Sequence, residues 1–239
     1  MSDLGFCDPG EFSDGVVQAC RPDDGGSGYV ASATGKSVYA VDINTGISSV
    51  LFTDPNVTGI NSLAYDVDYH RVYYAEENFG QATLKFYDLN TGTFTTLISS
   101  QAQAEALGIE VFDRALASSG GAIDGRYYYF GVESSSNGKD RVYRASLNTN
   151  GSIDKVWQVR EQASEWGDFI VANGVLYDSA SNEIEYYSLY TGDYIGQTNT
   201  GTNFQLGTSW NGNLYGVDTF TREFNPTTGV ITQIAQIQA

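Results

Sequence analysis

Short apolar and aromatic runs alternate with polar stretches along the whole chain, and five of those runs end in the same turn. The turn reads small polar residue, apolar residue, any residue, then Thr-Gly. Its copies are Asp42-Ile43-Asn44-Thr45-Gly46, Asp88-Leu89-Asn90-Thr91-Gly92, Ser146-Leu147-Asn148-Thr149-Asn150-Gly151, Ser188-Leu189-Tyr190-Thr191-Gly192 and Asn225-Pro226-Thr227-Thr228-Gly229. The third carries one extra residue. Asp, Ser or Asn can cap such a turn with its side chain, and glycine supplies the positive φ that a tight hairpin needs.

Each turn joins two strand-like runs. Before it lie 38–43, 84–89, 142–147, 184–189 and 221–226; after it lie 47–52, 93–98, 153–159, 194–198 and 230–237. Upstream of each pair is an aromatic strand, at Tyr29-Val30, Val72-Tyr73-Tyr74, Tyr127-Tyr128-Tyr129, Leu176-Tyr177 and Leu214-Tyr215. A further apolar run, such as 60–65 or 169–172, precedes a polar turn and completes four strands. The repeat glycines follow one another at intervals of 46, 59, 41 and 37 positions. Four antiparallel strands in a unit of that length make a propeller blade. The sequence therefore predicts an all-β fold, a β-propeller with five blades of four antiparallel strands. Helix is scarce, with a turn or two expected over 102–107.

One domain accounts for the chain. Residues 1–27 would form an N-terminal segment that supplies the inner strand of the first blade, over 15–19, and residues 28–239 the remainder. No strand from one terminus then completes a blade begun at the other, so closure should rest on packing between first and last blades.

The stretch 61–76 (NSLAYDVDYHRVYYAE) resembles the repeats of YWTD and NHL-type propellers, and 141–147 (RVYRASL) resembles the next strand of that pattern. The resemblance implies a propeller with an extracellular recognition role. Six blades are usual in YWTD-type domains, so five is a departure. No ligand-binding residue carries over.

Composition agrees with sheet: 17 Tyr, 12 Phe and 27 Gly occur, and only 17% of residues are charged. The net charge of −17 changes the functional picture more. It opposes nucleic acid and anionic lipid, both of which require cationic surface. No run of apolar residues is long enough for membrane insertion. The two cysteines, Cys7 and Cys20, have no Cys-x-x-Cys or His cluster beside them, so a disulfide is the expectation. An oxidising, extracellular or cell-surface location would follow; two free thiols in a reducing compartment are the alternative. Met1 opens no signal peptide, which is consistent with a mature fragment carrying an added start.

Loops entering the inner strands and loops joining the two middle strands share one face of a propeller. The third unit is the longest, and both of its enlarged loops, 99–114 and 133–140, belong to that face. Extra loop length gathered on one face is where function is usually carried. These loops hold Asp54, Glu76, Glu77, Glu105, Glu110, Glu133, Asp140, Glu165, Asp168 and Asp178. Such oxygens can hold Ca²⁺, although no continuous calcium loop exists; a solvated acidic face is the plain alternative. Trp166, between Glu165 and Asp168, can stack on a sugar ring or receive a cation, or it can simply plug the channel. Trp157 and Trp210 read as packing residues.

The only histidine, His70, falls on the opposite face, and no nucleophile elbow, zincin motif or phosphate loop occurs. The expectation is thus a secreted recognition or adhesion module. It would bind a glycan or protein partner through Trp166, Glu165, Asp168, Glu110, Glu133 and Asp140, with no cofactor unless Ca²⁺. The alternatives are a glycosidase or lyase using paired carboxylates, and a purely structural domain of a surface protein or filament.

Overall fold

The computed structural model describes residues 29–66, 68–76, 83–109, 120–132, 140–162, 167–180, 182–202, 205–210, 213–217 and 219–238. The first sheet contains β1 (Tyr29–Thr34), β2 (Ser37–Asp42) and β3 (Ser48–Thr53). The second contains β4 (Ile60–Asp66), β5 (Arg71–Glu76), β6 (Thr83–Asp88) and β7 (Thr93–Ile98), and a short helix α1 (Gln101–Ala106) follows. The third is β8 (Gly121–Asp124), β9 (Tyr127–Val132), β10 (Asp140–Leu147) and β11 (Ile153–Gln162). The fourth is β12 (Asp168–Ala172), β13 (Val175–Ala180), β14 (Glu183–Ser188) and β15 (Tyr194–Asn199). The fifth is β16 (Gln205–Trp210), β17 (Asn213–Val217), β18 (Phe220–Asn225) and β19 (Val230–Gln236).

Every sheet is an antiparallel meander in chain order; four have four strands and the first has three among the described residues. The fourth strand expected over 15–19, like Cys7 and Cys20, lies outside them. The propeller arrangement is as the repeat predicted. No helix among the described residues is long and apolar enough to cross a membrane.

The five repeat turns explain the local geometry. Their glycines Gly46, Gly92, Gly151, Gly192 and Gly229 all have φ between 69° and 88°. In four copies the cap residue's side chain accepts two consecutive backbone N–H groups. Asp42 takes Asn44 and Thr45, Asp88 takes Asn90 and Thr91, Ser188 takes Tyr190 and Thr191, and Asn225 takes Thr227 and Thr228. In the third copy the extra residue displaces this pattern, and Asn150 Oδ1 accepts the Ser152 N–H instead.

Five apolar clusters fill the gaps between successive sheets. Val38, Phe52, Val72 and Tyr74 lie between the first and second. Tyr73, Phe86, Tyr128 and Tyr143 lie between the second and third. Phe169, Leu176, Tyr129 and Val142 bridge third and fourth, and Ile170, Ile184, Leu214 and Phe224 bridge fourth and fifth. Val41, Ile43, Tyr215 and Val217 join the fifth sheet back to the first. Burial here is continuous around a ring, which is why both faces of the middle strands are apolar and the outer strand β7 is largely exposed.

Closure uses more than the expected packing. β1 lies against β4 and β16. On the outside, residues after β19 pair with the first repeat turn through a parallel bridge between Ile47 and Gln238. Gln238 N–H donates to Gly46 O at 2.8 Å, Ser48 N–H to Gln238 O at 3.2 Å, and the Thr221 hydroxyl to Ile43 O at 2.6 Å.

A pair of substitutions separates backbone strain from closure. A Cβ on Gly46 would stand 2.0 Å from Gln236 O, whereas on Gly92 the nearest atom would be 3.6 Å away. Both glycines have left-handed backbone, so alanine at either should cost roughly 1–2 kcal/mol. Gly46→Ala must also push the C-terminal segment off the first sheet, and is expected to lose clearly more stability than Gly92→Ala in urea unfolding. Equal losses would show that the bridge adds nothing to closure.

Candidate functional site

Antiparallel alternation places the starts of the inner strands and the loops between middle strands on one face. The described residues there are 54–59, 99–109, 200–202, Gly120, Gly167, Asn182 and Thr219. The opposite face carries the repeat turns and the two-residue turns such as Asn173-Gly174. His70 is on that opposite face, where Tyr65 Oη lies 3.0 Å from its Nδ1.

Of the sequence-derived site residues, Trp166, Glu165, Glu110 and Glu133 lie outside the described residues. Asp168 is the first residue of the inner strand β12 and Asp140 the first of β10. Both are therefore at the loop face, on the fourth and third sheets. The start of α1 is fixed by Ser100, whose hydroxyl accepts the Gln103 N–H, and Ala104 and Ile109 anchor the segment in the core.

The acidic face is less solvated than composition suggests. Asp54, Glu76, Asp140 and Asp178 are all buried, and among the described loop carboxylates only Glu105 is fully exposed. A buried charge needs partners, and these groups solve that in two ways.

Between the first and second sheets the solution is an ion-pair cluster. Asp54 Oδ2 accepts the Tyr74 hydroxyl at 2.7 Å and Lys85 Nζ at 3.2 Å, and Oδ1 accepts the Asn56 N–H at 2.9 Å. Glu76 Oε2 stands 3.5 Å from the same Nζ. Burial alone would raise the Asp54 pKa, but the Asn56, Tyr74 and Lys85 hydrogen bonds outweigh it and hold the carboxyl below its ordinary range.

At the fourth sheet there is no cation. Counting back from each turn cap, equivalent cross-strand pairs are Tyr74 with Lys85, Phe130 with Tyr143, Asp178 with Glu185, and Gly216 with Arg222. Only the fourth sheet has two acids there. Asp178 is completely buried; its Oδ1 accepts the Gly167 N–H at 2.9 Å, and its Oδ2 has no hydrogen-bond donor among the described residues. Glu185 Oε2 is held by the Tyr187 hydroxyl, whose ring lies under Arg160 at 4.1 Å.

Burial pushes the Asp178 carboxyl up to about 8, and the nearby Glu185 and Asp168 charges add to the shift. Asp168, partly exposed, is raised to about 6 by burial. The Gly167 carbonyl in turn accepts the Gly120 N–H at 3.0 Å. Asp178 thus anchors a hydrogen-bonded chain that ties the start of β12 to Gly120, before β8. Sequence reading counted Asp178 only as a loop carboxylate. The doubled acid in the fourth repeat was the signal available, but its burial was not.

Among the described residues no group of three or more His, Cys, Asp or Glu is placed to hold a metal ion. Trp157 is half-exposed on β11, with Arg144 over its ring at 4.9 Å and over Tyr127 at 4.8 Å. Its packing role is therefore a surface one. Trp210 ends β16 rather than sitting in the following turn.

No protein-family model and no curated protein matches the sequence. Solved structures do match. A chain of the nidogen/laminin complex superposes with a TM-score of 0.52 at 12% identity, over 85% of this chain and 91% of that one. TolB from Acinetobacter baumannii gives 0.53 at 15% identity, over 87% and 52%. A gluconolactonase from Xanthomonas campestris gives 0.53 at 11%, over 79% and 64%. The chain thus spans about half of TolB and just under two thirds of the gluconolactonase. At these identities the likeness shows the fold alone, and that fold is the β-propeller which the YWTD/NHL-type repeats implied.

The state of Asp178 has a measurable consequence. Its folded pKa is raised above the ordinary 3.8, so the folded protein keeps a proton that the unfolded chain releases. The group's contribution is complete below 3.8 and is lost progressively as pH rises towards about 8, by up to about 1.4 kcal/mol per pH unit. Asp178→Asn removes the titration while keeping an acceptor for Gly167. Urea-unfolding free energies across that window should fall less steeply in the variant than in wild type. Parallel profiles would mean that Asp178 does not titrate in this range.

Proposed function

We propose that this propeller is an extracellular recognition module that binds a glycan or a protein through its loop-bearing face. The observation carrying this reading is the one-sided elaboration of the third sheet. The connections from β7 to β8 and from β9 to β10 are the longest of their kinds, and both leave from the face that holds Asp168, whereas the described turns of the opposite face are short. Loops on a rigid scaffold are the usual site of recognition. Trp166, next to Asp168 in sequence, offers an aromatic ring for a sugar or a cationic side chain. The net charge of −17 adds a long-range preference for neutral or basic ligands. Secretion rests on the isolated Cys7 and Cys20 pair and the acidic composition.

Among the fold neighbours, one is named for a protein complex and one for a gluconolactonase, so the fold serves both binding and catalysis. The raised carboxyl groups of Asp168 and Asp178 are what an acid–base enzyme would use. Asp178, however, is wholly buried and out of reach of a substrate. That favours recognition over turnover.

A glycan array and a panel of secreted proteins, probed with wild type and Trp166→Ala, test the reading. The expected outcome is a ligand that wild type binds and does not cleave, with affinity reduced at least about tenfold in the variant, in line with loss of one stacked aromatic. Turnover of glycosides abolished by Asp168→Asn would replace recognition with catalysis.

A further inference from the structure

We propose that Asp54 and Lys85 condense into an intramolecular amide, with Glu76 as proton carrier, so that a covalent bond staples the first sheet's outgoing loop to the second sheet. The three groups come from different elements. Asp54 follows β3, Glu76 ends β5 and Lys85 lies within β6. All three are buried, at 1%, 9% and 9% exposure. The nucleophile stands 3.2 Å from the carboxyl oxygen Oδ2, one bond from the carbon it would attack. Folding alone holds them there, which converts a bimolecular condensation into a unimolecular one.

Each remaining requirement of acyl transfer has a group in place. Glu76 Oε2, 3.5 Å from Nζ, accepts the first proton and passes it to Asp54 Oδ2, so that a neutral amine, the nucleophilic form of lysine, faces a neutral carboxylic acid. The amine nitrogen forms a bond to Asp54 Cγ. Negative charge gathers on Oδ1, which already accepts the Asn56 N–H at 2.9 Å, a backbone donor of the kind that stabilises an oxyanion. Oδ2, held by the Tyr74 hydroxyl at 2.7 Å and already carrying the proton relayed by Glu76, takes a second proton from the nitrogen and departs as water.

The balance closes within the site. The ammonium's three hydrogens end as one on the amide and two on the released water, and one positive and one negative charge disappear together. No oxidant, reductant or activated donor is needed. The driving force is the removal of a buried ion pair whose desolvation is costly. Phe52 and Tyr74, tilted against each other at the same sheet boundary with centroids 5.7 Å apart, supply the apolar wall that excludes water.

The test is the intact mass of the full chain, purified folded, then denatured and reduced. The expected mass is that of the sequence less one water, and proteolysis should release a branched peptide joining the segments that contain Asp54 and Lys85. Glu76→Gln, which keeps the size and polarity of the side chain but cannot carry the proton, should show the full sequence mass. A wild-type chain of full mass would overturn the proposal, as would a missing water mapped to any other residue. The wild-type measurement decides the matter even if the variant does not fold.

Discussion

The propeller depends on how closely its inner strands can approach one axis. At the third sheet that approach is backbone against backbone. A Cβ on Gly120 would fall 2.2 Å from Phe169 N, and one on Gly121 would fall 2.1 Å from Ser62 O. No other residue type fits between the second and fourth sheets at this level. The Tyr128 hydroxyl secures the same contact by donating to Ser62 O at 2.8 Å, where Ser62 takes a left-handed φ of 53° within an irregularity of β4. Given this spacing, the inter-sheet gaps are narrow enough to be filled by single layers of Tyr, Phe, Val and Leu, and the ring holds its shape.

The same tightness governs the electrostatics. Loop-face carboxylates that a looser fold would leave in water are drawn between the sheets. Two environments result a few strands apart. The Asp54 carboxyl is held below its ordinary range, against its burial, because a backbone N–H, Tyr74 and Lys85 converge on it. Asp178 is pushed up to about 8 chiefly by burial, with the Glu185 and Asp168 charges adding to it, and one of its oxygens has no donor among the described residues. The two carboxyl groups are thus shifted in opposite directions, according to whether a neighbouring strand supplies lysine or glutamate.

This arrangement gives the loop face a stiff base. The Gly120–Gly167–Asp178 chain pins the start of two inner strands, and α1 is anchored by Ala104 and Ile109. Recognition surfaces gain from such preorganisation, because less conformational freedom is lost on binding.

The amino-acid order by itself determined the repeat, the strand pattern and the turn chemistry. These are local: a cap side chain reaches two residues along the chain, and glycine's φ is a property of one residue. Helix α1 and the strands bordering each Thr-Gly turn accordingly fall within one to three residues of where the pattern puts them. That the β7–β8 and β9–β10 connections leave from one face was also legible, because antiparallel alternation fixes it once strands are counted. What only the tertiary structure decided is which charges meet. Asp54 and Lys85 are separated by 31 positions, and Ile47 meets Gln238 across almost the whole chain. Asp178 and Asp54 read alike as loop acids in the sequence. Their difference arises from desolvation and from partners on other strands, and neither exists until the sheets pack.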